Sequence, residues 1–123
     1  MKTIVFDFDG VIHSYTSGWQ GYNSIPDSPV QGIKEVLKEL HSEYHIAVVS
    51  SRAATPCGVL AIKKYLTDNE LIEYVDMITC EKPPCVVAVD DRCICFTGDT
   101  SSLVSQIKNF KPWTDRKENN GKN

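Results

Sequence analysis

Thr3-Ile4-Val5-Phe6-Asp7-Phe8-Asp9-Gly10-Val11 is an apolar run that ends in two spaced acids and a glycine. A short continuous apolar run reads as a strand buried on both faces, as in a parallel sheet. Alternate residues of a strand face the same side, so Asp7 and Asp9 can present both carboxylates to one site while Phe6 and Phe8 turn inward. Gly10 lets the backbone leave the strand without steric penalty. A second run, Val86-Val87-Ala88-Val89, ends in Asp90-Asp91. Carboxylates at the carboxyl ends of such strands sit where open α/β sheets bind ligands. Gathered in one crevice, they repel each other unless a cation or a proton intervenes. The pattern predicts a Mg²⁺-dependent site.

The chain around these runs alternates. Residues 2–8 read as the first strand, and the polar, aromatic, glycine-bearing stretch 10–27 as a loop or flap. Ser28-Pro29-Val30-Gln31 has the composition of a helix start, which predicts a helix over 29–43 with Val30, Ile33, Val36, Leu37 and Leu40 inward. His45–Val49 reads as the second strand, and Thr55-Pro56 opens a second helix carrying Val59, Leu60, Ile62, Tyr65 and Leu66. Tyr74–Thr79 reads as the third strand, 86–90 as the fourth and Ile94-Cys95-Phe96 as the fifth. Asp99 or Thr100 is placed to cap a last helix with Leu103, Val104 and Ile107. Strands and helices alternating at this spacing imply right-handed crossovers and a mainly parallel sheet. The expected fold is a single α/β domain over residues 1–112, and 113–123 reads as a polar tail that frays after Trp113 pins it.

Composition narrows the function classes. The chain has 123 residues, 41% of them hydrophobic, which fits one globular domain with one core. No apolar run approaches the roughly 18 residues of a membrane helix, and the start of the chain lacks a signal-peptide layout. A net charge of −3 gives no global attraction to nucleic acid, so a nucleic-acid partner would need a local basic patch. The five cysteines are odd in number and show no CxxC spacing, so reduced, buried thiols and a cytoplasmic setting are expected rather than a zinc knuckle.

These residues define a chemistry. Mg²⁺ takes oxygen ligands and keeps several waters, so a few carboxylates and a substrate phosphate satisfy it. With charge drawn off a phosphoryl group, an aspartate can attack phosphorus and form an aspartyl-phosphate. A second aspartate can give a proton to the leaving oxygen and take one from the hydrolytic water. Ser50 ends the second strand and Lys82 follows the third, where a hydroxyl and a cation can hold the phosphoryl group. Ser51 is a substitute for Ser50. Arg52 and Arg92 can bind phosphate or pair with a carboxylate. His13, Tyr15, Trp19 and Tyr22 can form an aromatic flap that stacks on a base or sugar, or can cover the edge of a small core.

The ordered set Asp7-Phe8-Asp9-Gly10-Val11, Ile46-Ala47-Val48-Val49-Ser50, Lys82 and Val89-Asp90-Asp91-Arg92 resembles the haloacid dehalogenase-like superfamily of phosphohydrolases over residues 1–110. The resemblance implies a Rossmann-like three-layer α/β/α domain. It also implies that Asp7 is the nucleophile and Asp9 the general acid/base, with Ser50 and Lys82 on the phosphoryl group. Asp7, the backbone carbonyl of Asp9, and Asp91, assisted by Asp90, would hold Mg²⁺. Neither the stretch after the first motif nor that between the second and third can house a cap domain, so a minimal, capless member is expected. Its open site would admit a small phosphorylated molecule, a nucleotide or a macromolecular end, unless a partner subunit covers it. Val-Asp-Asp-Arg is also similar to the motif of polynucleotide 3′-phosphatase domains.

Other classes fit less well. A signalling receiver domain should carry its neighbouring acidic pair after the first strand and its phosphorylated aspartate mid-chain. Here the mid-chain strand ends in Ser50-Ser51 and the acidic pair comes late. A silent binding module of the same fold would have no need of the full set of groups, and a phosphotransferase would need a lid to exclude water.

Overall fold

The computed structural model describes residues 1–115. Four strands, β1 (Thr3–Asp7), β2 (His45–Val49), β3 (Met77–Thr79) and β4 (Val87–Val89), form one sheet in the order β3-β2-β1-β4. Every pairing is parallel. The expected α/β class with a Rossmann-like parallel sheet is what the chain adopts. Asp7 lies opposite Val49, and Phe6 opposite Val89, so Asp7, Ser50 and Asp90 leave their strands at one end of the sheet. The chain steps outward from β1 to β2 and β3, then returns to place β4 on the other flank of β1. Such a reversal opens a crevice beyond the strand ends.

Helices α1 (Ile33–His41), α2 (Pro56–Asp68) and the short α3 (Leu103–Lys108) accompany the sheet. Ile4 and Phe6 of β1, Ile46 and Val48 of β2, Ile33 and Leu37 of α1, and Ile62 and Leu66 of α2 share one core. Burying each such apolar side chain contributes roughly 1.5–3 kcal/mol. Thr55 caps α2 as expected, its hydroxyl accepting from the Gly58 N–H at 3.0 Å. Gly58 passes so close to the Arg52 carbonyl that a Cβ there would collide with it. This contact fixes α2 against the 3₁₀ turn Ser51–Ala54.

Four expectations are corrected. The first helix begins at Ile33, not 29, and its N-cap is Gly32 in the left-handed region. Ser28 accepts from the Ser14 N–H and Val30 donates to the Ile12 carbonyl, with His13 and Pro29 forming an antiparallel bridge. Backbone committed to that pairing is not free to begin a helix. The third strand starts only at Met77, because Ile72–Tyr74 closes a 3₁₀ turn. Ile94-Cys95-Phe96 is not a strand; Phe96 is exposed and the segment pairs with no neighbour among the described residues. Asp99 caps no helix: its carboxylate accepts from the Ser101 N–H, and α3 follows Ser102 without a side-chain cap.

Residues 10–32 hold no regular helix or strand and no domain-sized insertion. Trp113 belongs to the folded unit, since its indole N–H donates to the Gly10 carbonyl at 2.6 Å. Most of the expected frayed tail, residues 116–123, lies outside the described residues.

Candidate active site

Asp7, Asp90 and Asp91 bring one carboxylate oxygen each within 4.8 Å of one another. Asp7 closes β1, and Asp90-Asp91 follow β4, its parallel neighbour, so adjacent strand ends bring them together. Gly10 makes room for this approach. Its φ is +87°, and a Cβ would collide with the Asp91 carboxylate. Burial, the hydrogen bond shared with Asp91 and the charges of Asp90 and Asp91 push the Asp7 carboxyl up to about 8. Asp91 Oδ1 is buried without a hydrogen-bond partner among the described residues. Unpaired buried oxygens and mutually repelling carboxylates are what a hard divalent cation relieves. The donor set fits Mg²⁺, with Asp7, Asp90 and Asp91 as the residues that would hold it.

The Asp9 side chain lines the same pocket as Asp7, as alternation predicts, but is held by other partners. His13 Nδ1 lies 2.8 Å from Oδ1, and Arg52 donates from Nε to Oδ2 at 2.9 Å and from its NH2 nitrogen to Oδ1 at 3.2 Å. The Asp27 N–H donates to His13 Nε2 at 3.1 Å, which leaves Nδ1 as the His13 donor toward Asp9. Burial alone would raise the Asp9 carboxyl, but hydrogen bonds from His13 and Arg52 and the charge of Arg52 outweigh it and hold the group below its ordinary value. Burial and neighbouring carboxylates thus favour the protonated form at Asp7, while the partners of Asp9 favour its ionised form.

A pocket of about 230 Å³ opens between these acids and the next strand, lined by Asp7, Asp9, Tyr15, Trp19, Ser50, Ser51 and Arg92. Ser50 is buried and extended at the end of β2; its Oγ accepts from the Arg52 N–H at 3.1 Å, leaving its own O–H to donate into the pocket. Ser51 is exposed on the rim. A larger apolar groove of about 580 Å³ lies on the opposite flank, between α1 and β4, and reaches Gly10, Asp90 and Asp91.

Two expected phosphate contacts sit elsewhere. Arg52 is fully buried, and its remaining NH1 nitrogen donates to the Gly21 and Tyr22 carbonyls at 2.6 and 2.9 Å. Of its two expected roles, it fills the ion pair. Lys82 is exposed, lines neither cavity and makes no ion pair among the described residues. Arg92 is the cation on the pocket wall, and its N–H donates to Asp90 Oδ1 at 2.8 Å.

Sequence reasoning missed His13 as the partner of Asp9. The Phe8 carbonyl accepts from the Val11, Ile12 and His13 N–H groups, a tight turn that curls His13 back onto Asp9. Nothing but the presence of a histidine four residues on could have signalled it. Tyr15, on the same loop, has φ 62°, strain of about 1–3 kcal/mol of the sort that concentrates at functional sites.

Fold and site together define an α/β domain with a three-carboxylate cluster beside a serine- and arginine-lined pocket. Compared with known proteins, the chain matches no protein-family model, no curated protein and no solved structure.

Proposed function

We propose that this chain is a Mg²⁺-dependent phosphomonoester hydrolase that works through an aspartyl-phosphate on Asp7, in the manner of the haloacid dehalogenase-like enzymes its motifs resemble. One observation carries the reading: Asp7 belongs both to the Asp90–Asp91 cluster and to the wall of the Ser50 pocket. Bound Mg²⁺ would neutralise charge on the phosphoryl oxygens and on the carboxylates around them.

In the first half-reaction an Asp7 oxygen attacks phosphorus and the ester P–O bond breaks, its electron pair leaving with the alcohol oxygen. That oxygen takes a proton from Asp9. In the second, water attacks the same phosphorus and gives its proton to Asp9, and inorganic phosphate departs from Asp7. The bonds from His13 and Arg52 favour ionised Asp9, the form that takes a proton from water. Donation in the first half draws on the protonated form of the same carboxyl. Ser50 and Arg92 line the pocket and would hold the phosphoryl oxygens, while Lys82 would have to swing in to join them.

Hydrolysis is favoured over transfer to another acceptor, because no domain-sized insertion among the described residues shields the pocket from water. All five cysteines are free, which supports a reducing compartment such as the cytoplasm, but none is buried as expected: four are exposed and Cys85 is half-buried. No helix among the described residues is long and apolar enough to cross a membrane. Turnover of p-nitrophenyl phosphate with Mg²⁺, lost in Asp7→Asn, tests the proposal. Equal rates in the two proteins would remove it.

A further inference from the structure

Trp19 is a large aromatic ring with 48% of its surface exposed, yet it is held in place. Its indole lies over the Arg52 guanidinium, with Cζ 4.6 Å from the ring centroid. Tyr22 meets it edge to face at 5.1 Å, and Arg52 grips the backbone beneath it through the Gly21 and Tyr22 carbonyls. The same guanidinium, by its other edge, binds Asp9. A half-exposed aromatic side chain clamped by a buried arginine covers little core. It contributes a rigid wall to the pocket that contains Asp7, Ser50 and Arg92, with Tyr15 beside it.

Resting on the phosphohydrolase reading above, we infer that Trp19 is a stacking shelf for the base of a mononucleotide, making nucleoside monophosphates the preferred substrates. Base–aromatic stacking tolerates every base, because each has a π-face, so the shelf selects for a planar ring rather than for one base. The guanidinium between Trp19 and Asp9 sets the indole back from the carboxylates. A ring stacked there must therefore be joined to its phosphate by a spacer, which ribose supplies and a directly linked aryl group does not. The pocket of about 230 Å³ is smaller than a usual small-molecule cavity, so it houses the phosphate and the near part of the sugar while the base lies outward over Trp19. The net charge of −3 and Arg92 as the exposed cation on the pocket wall suit a single phosphate better than a polynucleotide backbone.

Kinetics and binding together test this. In the full chain with Mg²⁺, kcat/KM for AMP and UMP should exceed that for glycerol 2-phosphate at least tenfold. In Trp19→Leu that ratio should collapse toward one through a higher nucleotide KM, and Trp19→Phe should retain most of it. In the Asp7→Asn protein, AMP should quench indole fluorescence, and the quench should vanish in Asp7→Asn/Trp19→Phe, which keeps Trp113. Glycerol 2-phosphate turned over in an Asp7-dependent way, with no preference for nucleotides, would overturn the shelf and leave the hydrolase reading standing. AMP quenching through Trp19 without turnover of any phosphomonoester would remove the hydrolase reading and keep the shelf. A 3′-phosphorylated oligonucleotide hydrolysed better than either mononucleotide would also overturn the inference.

Discussion

Arg52 and Asp9 lie 43 positions apart in sequence and form a two-point ion pair, Nε to Oδ2 at 2.9 Å and the NH2 nitrogen to Oδ1 at 3.2 Å. The arginine is fully buried, and one guanidinium joins the end of β1, the first turn after β2 and the 19–22 loop. Breaking a buried pair leaves an uncompensated charge and costs about 3–5 kcal/mol. Arg52→Ala should therefore lower unfolding free energy by about 3 kcal/mol or more and release the loop. Arg52→Lys, which lacks the fork geometry, should recover only part. Urea denaturation of the three proteins checks this; a loss under about 1 kcal/mol would mean the pair is not structural.

Asp7 carries a pH signature of opposite sign to an ordinary carboxylate. In the metal-free fold its carboxyl holds a proton up to about 8, while the unfolded chain releases it near 3.8. Between those values the folded state binds the extra proton, so stability is greatest below the unfolded value and falls as pH rises, by up to about 1.4 kcal/mol per pH unit. Asp9, held low, acts the other way: its contribution is present above the ordinary aspartate range and lost on acidification. Metal-free denaturation at about pH 5 and about pH 8 should show the decline, and Asp7→Asn should flatten it. Saturating Mg²⁺ should flatten it too, by favouring the ionised carboxylates.

Gly10 should tolerate no side chain. Gly10→Ala places a Cβ against the Asp91 carboxylate and holds alanine at φ +87°. The backbone term alone is about 1–2 kcal/mol. Calorimetry should show a lower Tm, and Mg²⁺ should stabilise the variant less than the parent. An unchanged Mg²⁺ response would separate Gly10 from the metal site.

Much of this arrangement was legible in the sequence, for a physical reason. β1, β2 and β4 are short apolar runs ending in polar groups, and strand ends in a parallel sheet converge on one edge whatever the loops do. Thr55-Pro56 was legible because a cap and a proline act locally. Ser28-Pro29 has the same local chemistry but failed, since its backbone groups pair with residues 12–14 across the loop. The partners of Asp9 were illegible for a similar reason. Strand alternation placed it with Asp7, and both line one pocket, but only the turn at Phe8 and the turn after β2 bring His13 and Arg52 onto its carboxylate. Lys82, in the connection from β3 to β4, had no local signal to say where its long side chain would rest.

Trp113 ties the end of the described chain to the turn that carries Gly10. Trp113→Phe removes the indole donor from the Gly10 carbonyl, a loss of about 1 kcal/mol. Thermal melts should show that decrease, with Mg²⁺ affinity falling alongside because the Asp91 carboxylate packs against Gly10 of the same turn. Affinity unchanged in a destabilised variant would make Trp113 a fastening alone.

Borohydride trapping of the covalent intermediate is the most direct measurement. Hydride reduces an aspartyl-phosphate to homoserine, which peptide mass spectrometry locates to one residue. After incubation with AMP and Mg²⁺, homoserine should appear at position 7, and it should be absent without Mg²⁺ and in Asp91→Ala. Phosphate released with Asp7 unmodified under trapping, or homoserine at another aspartate, would contradict the account.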